Sequence, residues 1–423
     1  MTIKDILFKD NKPNGIYSVC SADSMVLEAS FKQAVKDNSP LLIEATCNQV
    51  NQYGGYTGMK PVDFRNYVFT LARKTGFDTD KLILGGDHLG TQPFKHLNSN
   101  DALAEACTMA EEYVRAGFSK IHLDASVPCL DDTDLSQEEF TYLACERSAE
   151  MALSIKNSGI DTDISYVIGT EVPTPGGATD DDELLIPTSV AAAAETIKVS
   201  MDAFKKRGLF KTMENVVALV VQPGVEFSDT QIYAYDRDSA MQLSRFIGGK
   251  DRLVFEAHST DYQTTEALKC LVEDGFAILK VGPALTYAKR RALFALARIE
   301  SELYKGDKSS NLLSVIENIM ISNPEYWKNH YSGDENNLRL SRQFSLSDRV
   351  RYYWLNMEIT NSVHTLIDNL RNVKIPQTLF YEFLPEVYWD IREGLVSSDP
   401  EEIVSCYIQD VLKQYSKGCG FIL

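Results

Sequence analysis

Apolar runs of strand length recur eight times in the first 285 residues, and this recurrence constrains the fold more than any other feature. Most of the runs are continuously apolar rather than alternating, which is typical of strands that are buried on both faces of a parallel sheet. In chain order they cover residues 15–22, 40–48, 81–88, 120–126, 164–172, 216–225, 252–260 and 277–285.

The segments between these runs have apolar residues at helical spacing and carry helix start and stop signals. Pro61 stands near the start of one segment, and Gly76 follows its end. Another segment opens with Asp101 as the expected N-cap and closes at Gly117. Alternating strands and helices predict an α/β protein with a (β/α)8 TIM barrel. An open doubly wound sheet is the alternative, and it is disfavoured because no G-x-G-x-x-G follows the first strand.

The pattern changes after residue 303, where a polar stretch is followed by helical patterns that contain all three tryptophans. We therefore predict a barrel over residues 1–303 and a helical C-terminal extension over residues 304–423. The extension is expected to pack on the barrel, and it could also form an interface.

Charge and composition exclude several functional classes. The chain has 60 acidic and 42 basic residues, a formal net charge of -18 and no long basic run. Nucleic acids and anionic membrane surfaces require clustered positive charge, so neither is an expected partner. No apolar window of about 18 residues predicts a transmembrane helix. The pattern G-x-x-x-x-G-K-[ST] is also missing, so nothing indicates a P-loop kinase.

The eight cysteines and the N-terminal residues both point to a cytoplasmic protein. The cysteines lack zinc-finger spacing, and several lie in or beside apolar segments, so we expect reduced and buried thiols. The N-terminal residues contain no long apolar stretch after their basic positions, unlike a secretory signal.

Polar side chains collect where the predicted strands end. In a (β/α)8 barrel the chemistry lies at the carboxyl ends of the strands, so these side chains are expected to share one cavity. Histidines and carboxylates from different strands suit a divalent metal, and further acids suit proton transfer. In chain order the residues are Glu44, Asn48, Gln49, Asp87, His88, Asp124, Ser126, Glu171, Gln222, Glu256, His258, Ser259, Asp261 and Lys280.

Each of these side chains has a structural alternative. Asp87 and His88 could cap a strand end, and Glu171 could cap the loop that it begins. His122 alternates with Asp124, so it could point inward, where we expect at most a supporting role.

Lys280 allows a different chemistry, because a lysine on a barrel strand can form a Schiff base with a carbonyl substrate. The nearby carboxylates and histidines would then have no purpose. A contact to the substrate or to a phosphate is therefore the preferred role for Lys280.

Several longer motifs read together resemble one family, the Z-type, non-catalytic subunit of class II D-tagatose-1,6-bisphosphate aldolase. The resemblance runs essentially from end to end of the chain. The motifs are IEATCNQVNQYGGYTGM, LGGDHLG, AGFSKIHLDAS, YVIGTEVPTPGG, VVQPGVEF, FEAHSTDYQ, ILKVGPALT and SLSDRVRYYW.

The resemblance extends to the catalytic class II aldolases, which are zinc-dependent (β/α)8 barrels. It implies that Asp87 is a proton donor, that His88 is a metal ligand and that Glu171 matches a fifth-strand glutamate. The aldolase histidines of the sixth and seventh strands are missing, because Pro223 and Glu256 stand in their places.

The resemblance therefore implies a rebuilt metal site. We expect zinc, with manganese or nickel as alternatives, bound by His88, Glu171, Glu256, His258 and, as a further ligand, Gln222. Acid–base roles are expected for Asp87, Glu171, Asp124 and Asp261. Substrate contacts are expected from Glu44, Asn48, Gln49, Ser126, Ser259 and Lys280.

Two arginines of the C-terminal part are candidates for phosphate binding. The aldolase eighth-strand Asn-x-x-Thr motif reads VGPALT here, which leaves room for another donor. Arg349 and Arg351 are separated by one residue and would lie on different faces of a helix, so at most one easily reaches the barrel mouth. A salt bridge to Asp348 is the alternative.

Two functions follow from the resemblance. In the first, the chain is an accessory subunit that stabilises and activates a catalytic aldolase subunit in galactitol or N-acetylgalactosamine catabolism. In the second, it is a metal-dependent 4-epimerase that interconverts fructose and tagatose, or their 6-phosphates. The accessory role is our main expectation. The expected partners are a small sugar phosphate, a catalytic subunit and further copies in an oligomer.

Overall fold

Eight parallel strands close into a barrel in the computed structural model, which describes residues 1–9, 14–160, 163–170, 185–304 and 306–422. The strands are β1 Ile16–Val19, β2 Leu41–Thr46, β3 Leu82–Leu89, β4 Lys120–Leu123, β5 Ser165–Ile168, β6 Val216–Val221, β9 Val254–Ala257 and β10 Phe276–Val281. Their order is β1-β10-β9-β6-β5-β4-β3-β2. The predicted (β/α)8 barrel is confirmed, and each of the eight apolar runs supplies one strand.

A short antiparallel hairpin, β7 Glu226–Phe227 and β8 Ile232–Tyr233, follows β6 and was not predicted.

The helices are α1 Ile3–Leu7, α2 Ser24–Asp37, α3 Pro61–Lys74, α4 Ser99–Arg115, α5 Gln137–Asn157, α6 Val190–Lys206, α7 Phe210–Glu214, α8 Arg237–Gly248, α9 Thr265–Glu273, α10 Pro283–Leu303, α11 Leu312–Ser322, α12 Glu335–Phe344, α13 Met357–Arg371, α14 Gln377–Phe383, α15 Pro385–Arg392 and α16 Pro400–Gly418. None of them, over the described residues, has the length and apolar character that crossing a bilayer requires.

The start of α4 corrects one detail of the sequence analysis. The N-cap is Asn98, whose side chain accepts a hydrogen bond from the backbone N–H of Asp101 at 3.0 Å. Asp101 itself lies in the first turn, where a carboxylate is favoured by the helix dipole. Both residue types are good caps, so only the backbone geometry distinguishes them.

Helix α1 closes the amino end of the barrel. Its apolar side chains Ile3, Ile6 and Leu7 belong to the cluster of residues that fills this end of the barrel interior. Lys4 binds Asp163 at 2.8 Å and Asn215 at 3.0 Å, just before β5 and β6 begin. The cavity described below therefore opens at the opposite, carboxyl end of the strands.

The C-terminal helices share one hydrophobic core with the barrel helices. The last helix, α16, packs against α2, α9 and α10. Tyr415 donates a hydrogen bond to the carbonyl of Thr260 at 2.7 Å, which ties α16 to the loop after β9. The predicted helical extension is confirmed as a structural feature. Its proposed boundary at residue 303 coincides with the end of α10, although the core continues across it.

Candidate metal centre at the barrel mouth

Strand β3 brings Asp87 and His88 to the same cavity. Consecutive residues of a regular strand point to opposite faces. Here the register between β3 and β4 shifts between Gly86 and Leu89, and His88 has a φ of 50°. This irregularity, which has the character of a β-bulge, turns both side chains toward the barrel interior.

Four buried side chains meet at this end of the barrel. Asp87, His88, His122 and His258 each offer one ligand atom, and these atoms all lie within 4.8 Å of one another. The centroids of the three imidazole rings are 4.9 to 5.6 Å apart. Three imidazoles and a carboxylate form a donor set that suits zinc and other divalent first-row metals.

Neighbouring carboxylates orient two of the imidazoles. His88 Nδ1 lies 2.7 Å from Asp124 Oδ2, so its Nε2 is the atom left for a ligand or metal. Asp124 is held in turn by the backbone N–H and hydroxyl of Ser126. His258 Nε2 lies 3.0 Å from Glu256 Oε1, which leaves its Nδ1. Carboxylates that fix a histidine in this way are typical supports of metal ligands.

The protonation of these groups follows from burial and from the facing charges. Burial lowers the pKa of His258 to about 3, so this imidazole is neutral and its lone pair can bind a metal. Burial also opposes charge on His88, but Asp87 and Asp124 outweigh it and raise the pKa of His88. Burial by itself raises the pKa of Asp124. The hydrogen bond with His88 outweighs burial and keeps the pKa of Asp124 below its usual range.

A buried ion-pair network lies below the imidazoles. Lys120 Nζ is 2.5 Å from Glu44 Oε1 and 2.6 Å from Glu256 Oε2, and all three side chains are fully buried. Lys280 Nζ contacts Glu44 and lies 2.7 Å from Asp87 Oδ1 and 3.5 Å from Glu256 Oε1.

Carboxylates outnumber ammonium groups in this region. Glu44, Asp87 and Glu256 contact the two lysines, and Asp124 contacts His88, so the carboxylates exceed the ammonium groups by two. A proton on His88 offsets one of these charges, and a divalent cation offsets both. In addition, the buried His122 Nε2 has no hydrogen-bond partner among the described residues. Uncompensated buried charge is costly, so both observations fit a divalent cation.

The surroundings of Lys280 disfavour Schiff-base chemistry. Burial by itself lowers the pKa of an ammonium group, but Asp87, Glu44 and Glu256 raise the pKa of Lys280 well above its usual value. A lysine nucleophile must lose its proton. Lys280 is therefore a fixed positive charge that can donate hydrogen bonds to a substrate.

Gly85 creates the space that this network requires. A Cβ atom at Gly85 would lie 2.3 Å from Glu44 Oε1 and 2.9 Å from its carboxyl carbon. Glu44 cannot withdraw easily, because Lys120 and Lys280 both hold its carboxylate.

We expect Gly85→Ala to lower the free energy of unfolding by about 3 kcal/mol, as overpacking of a tight interior does. Urea titration measures this loss. Gly248→Ala is the matched control, because no atom lies within 4 Å of a Cβ at that position. Equal stability of the two variants would show that Glu44 can move aside.

Most of the predicted site residues lie in or beside one cavity of about 120 Å³. Its lining includes His88, His258 and Lys280. The predicted residues that also line it are Asn48, Gln49, Asp87, Ser259, Asp261 and Arg351. Asp261 Oδ1 accepts hydrogen bonds from the backbone N–H groups of Gly282 and Ala284, at the start of α10.

Six of the predicted residues are not in the lining of this cavity, namely Glu44, Asp124, Ser126, Gln222, Glu256 and Arg349. Gln222 Oε1 accepts hydrogen bonds from the N–H groups of Gly224 and Val225, so it shapes the turn after β6. Glu256 is bound by the two lysines and His258 and lies outside the four-residue ligand group. Arg349 is not in the lining of the cavity described above. The predicted ligand Glu171 lies outside the described residues.

Two buried residues of the site were missed or undervalued. The sequence patterns do not single out Lys120, and they predict only a supporting role for His122. Both precede Asp124 at alternating positions of β4, and residues at such spacing share a face of the strand. The alternation Lys120, His122, Asp124 in the segment KIHLD was the signal that could have identified them.

Glu226 on β7 is a buried carboxyl group beside the site. Its side chain is 5% exposed and accepts a hydrogen bond from the N–H of Phe227 at 3.0 Å. Burial raises the pKa of Glu226 to about 7. The unfolded chain therefore loses this proton at lower pH than the folded chain, and the group's contribution to stability disappears as the pH rises through about 7.

Glu226→Gln should leave stability almost unchanged at pH 4 and raise the free energy of unfolding by up to about 3 kcal/mol at pH 8.5. Glutamine keeps the acceptor for Phe227 and carries no charge. Thermal or urea unfolding over this pH range measures the difference, with Glu195→Gln on an exposed surface as the control. A difference from wild type that does not change with pH would contradict the assignment.

Comparisons with known proteins identify the family of the chain. The family model described as D-tagatose-1,6-bisphosphate aldolase subunit GatZ/KbaZ-like matches residues 5–420. The crystal structure of a probable tagatose 6 phosphate kinase from Sinorhizobium meliloti 1021 is 41% identical, with a TM-score of 0.88, covering 96% of this chain and 100% of that chain.

A more distant structure shares the fold alone. The fructuronate-tagaturonate epimerase UxaE from Cohnella laeviribosi is 10% identical with a TM-score of 0.51, covering 96% of this chain and 81% of that one. The family match, by contrast, spans nearly the whole chain. The chain belongs to the GatZ/KbaZ-like family of D-tagatose-1,6-bisphosphate aldolase subunits.

Proposed function

We propose that this chain binds a divalent cation at Asp87, His88, His122 and His258 and acts on a ketohexose, interconverting the fructose and tagatose configurations at C4. The observation that carries the proposal is the buried ligand group, set among four carboxylates that outnumber the two lysine ammonium groups. Membership of the tagatose-bisphosphate aldolase subunit family supports a ketohexose as the substrate.

Such a cation would supply a Lewis acid that polarises the ketose carbonyl. The chain's own groups then bind the sugar and move a proton. Inversion at C4 proceeds when a base takes the C4 hydroxyl proton, the C3–C4 bond breaks, and the aldehyde re-adds through its opposite face and recovers that proton. Asp261 suits this transfer because it lines the cavity and because burial raises its pKa to about 6. Lys280 suits the orientation of substrate oxygens.

A second candidate is the accessory role with a catalytic class II aldolase subunit, which the family match favours. The two roles are compatible, because an epimerase site at the barrel mouth leaves the outer helices available to a partner. The kinase activity named for the Sinorhizobium relative finds no support in this sequence, which has no P-loop pattern.

Direct cleavage of tagatose 1,6-bisphosphate by the chain alone is expected to be poor. The aldolase-like histidine position on the seventh barrel strand holds Glu256, whose carboxylate is committed to Lys120 and Lys280. Pro223 offers no ligand at the sixth-strand position.

The test is incubation of the metal-stripped chain with fructose or fructose 6-phosphate, after addition of zinc, manganese or nickel. We expect a tagatose-configured product with at least one metal and none after chelation. A second series adds a catalytic aldolase subunit and measures tagatose 1,6-bisphosphate cleavage. No epimerised product with any metal, together with clear activation of that subunit, would reject the epimerase and support the accessory role.

A further inference from the structure

We infer that this chain forms a two-fold symmetric dimer through the exposed face of α14 and α15, where each copy covers the other. No residue of these two helices lines the cavity at the barrel mouth. Self-association through this face is therefore independent of the proposed ketose chemistry and goes beyond it.

Three aromatic side chains, Tyr381, Tyr388 and Trp389, form an aromatic ridge on this face. The ring centroids of Tyr381 and Tyr388 are 5.0 Å apart, and those of Tyr388 and Trp389 are 5.1 Å apart. Tyr381 is 61% exposed and Trp389 is 55% exposed, while Leu395, shortly after α15, is 72% exposed. Large apolar side chains that stay together at a surface mark interaction sites, whereas single exposed ones do not.

An open groove of about 430 Å³, the C-terminal groove, adjoins the aromatic ridge. Apolar side chains line it, among them Leu370, Phe380 and Ile391. Tyr388 belongs to the ridge and also lines the groove, so the two features share an edge. A two-fold rotation can then place the ridge of each copy in the groove of the other, which makes the face self-complementary.

The lining of the C-terminal groove carries an excess of basic groups in a chain whose net charge is -18. It contains three basic residues and one acidic residue, Asp399. Asp399 lies 2.8 Å from Arg371, which also pairs with Glu401. For the other two, Lys374 and Arg392, no carboxylate oxygen lies within 4.0 Å among the described residues. These two cations therefore remain available to a partner.

The aromatic ridge carries the opposite charge. Glu393 follows Trp389 by four positions, so both lie on the same side at the end of α15. Glu382 follows Tyr381 in α14. Neither glutamate has a lysine or arginine nitrogen within 4.0 Å in the part of the chain that the structure describes. The face thus presents cations in its groove and carboxylates along its ridge, and a second copy supplies the matching charges to both.

The residue types of the ridge suit a stable interface. The Arg392 guanidinium lies 5.2 Å from the centroid of the Trp389 ring. Tryptophan, tyrosine and arginine are enriched among the residues that carry most of the binding energy of protein interfaces. Two-fold dimers are also the commonest assemblies of soluble chains.

The first experiment measures the mass of the purified full chain by sedimentation velocity over a range of concentrations. We expect wild type to show a reversible equilibrium between one and two copies. Trp389→Ala and Tyr381→Ala should each raise the dimer dissociation constant at least about 30-fold, the effect of truncating a residue that anchors an interface. Phe210→Ala is the matched control, because Phe210 is 59% exposed on α7, and it should change the constant less than about threefold.

Circular dichroism establishes that each variant is folded. A wild-type chain that stays monomeric at every concentration, or a dimer that Trp389→Ala leaves intact, would overturn the inference. A chain that is monomeric alone, and whose Trp389→Ala variant loses binding to a catalytic aldolase subunit, would assign the face to that subunit instead.

The second experiment tests the two-fold pairing of charges by mixing two variants. Lys374→Glu with Arg392→Glu makes the groove acidic, and Glu382→Lys with Glu393→Lys makes the ridge basic. Each double variant alone should associate at least about 10-fold more weakly than wild type, because like charges meet in both halves of its dimer. An equimolar mixture should recover the association, because opposite charges then meet in both halves. A mixture that associates no better than its components would reject the two-fold arrangement.

Discussion

Replacing His258 with alanine should lower the metal affinity of the chain more than 100-fold and abolish any metal-dependent ketose conversion. Loss of a residue that only supports a metal ligand already reduces affinity between about 10-fold and 100-fold, so loss of a ligand has a larger effect. The remaining group of Asp87, His88 and His122 would hold the cation with one imidazole fewer.

Metal content after dialysis against a buffered metal solution measures this effect without relying on activity. His364→Ala is the control, because His364 is an exposed residue of α13 and lies far along the chain from the strand ends. Circular dichroism and urea titration establish that both variants fold. A His258→Ala protein that retains the full metal content of wild type would remove this residue from the ligand set.

The second large effect is expected from Lys120→Met, which should reduce the free energy of unfolding by about 3–5 kcal/mol. Methionine fills a similar volume but leaves the carboxylates of Glu44 and Glu256 without the ammonium group between them. Breaking a buried ion pair by removing one partner costs this much, because a charge remains buried and unpaired.

Two further variants make the Lys120 prediction specific. Lys198→Met removes an exposed lysine that pairs with Glu195, so it should change stability by less than about 0.5 kcal/mol. Adding Glu256→Gln to Lys120→Met removes one of the two carboxylates that then share Lys280 alone, so it should recover part of the loss. Additive losses in the double variant would show that these side chains do not act as one network.

The barrel could be predicted from the sequence because its strands are buried on both faces. Continuous apolar runs then mark each strand, and glycine and proline mark many of the connections. The short β7–β8 hairpin could not be identified in this way, because its two residues per strand are too few for any pattern. The α4 cap was misplaced by three residues since Asn98 and Asp101 are equally suitable caps.

The sequence could place several polar side chains at the ends of strands, and their roles in the site stay predictions. Strand ends identified Asp87, His88 and His258, because the fold brings those ends together. Which side chains become ligands and which become ion-pair partners depends on contacts between distant segments. Glu256 stands where the sequence predicts a ligand, but Lys120, 136 positions earlier in the chain, holds its carboxylate. The β3 bulge that turns Asp87 and His88 inward has no local sequence signature beyond its glycines.

Contacts between the first and the last parts of the chain affect how the protein can fold during its synthesis. Strand β1 pairs with β10, with Ser18 opposite Lys280, and α16 covers α2 from the far end of the chain. During translation β10, the partner of β1, is therefore synthesised long after β1 itself. Helix α16, which covers α2, is synthesised later still. Contacts between such distant segments form slowly. Until β10 and α16 have been synthesised, one edge of β1 and part of the surface of α2 therefore stay uncovered in the nascent chain.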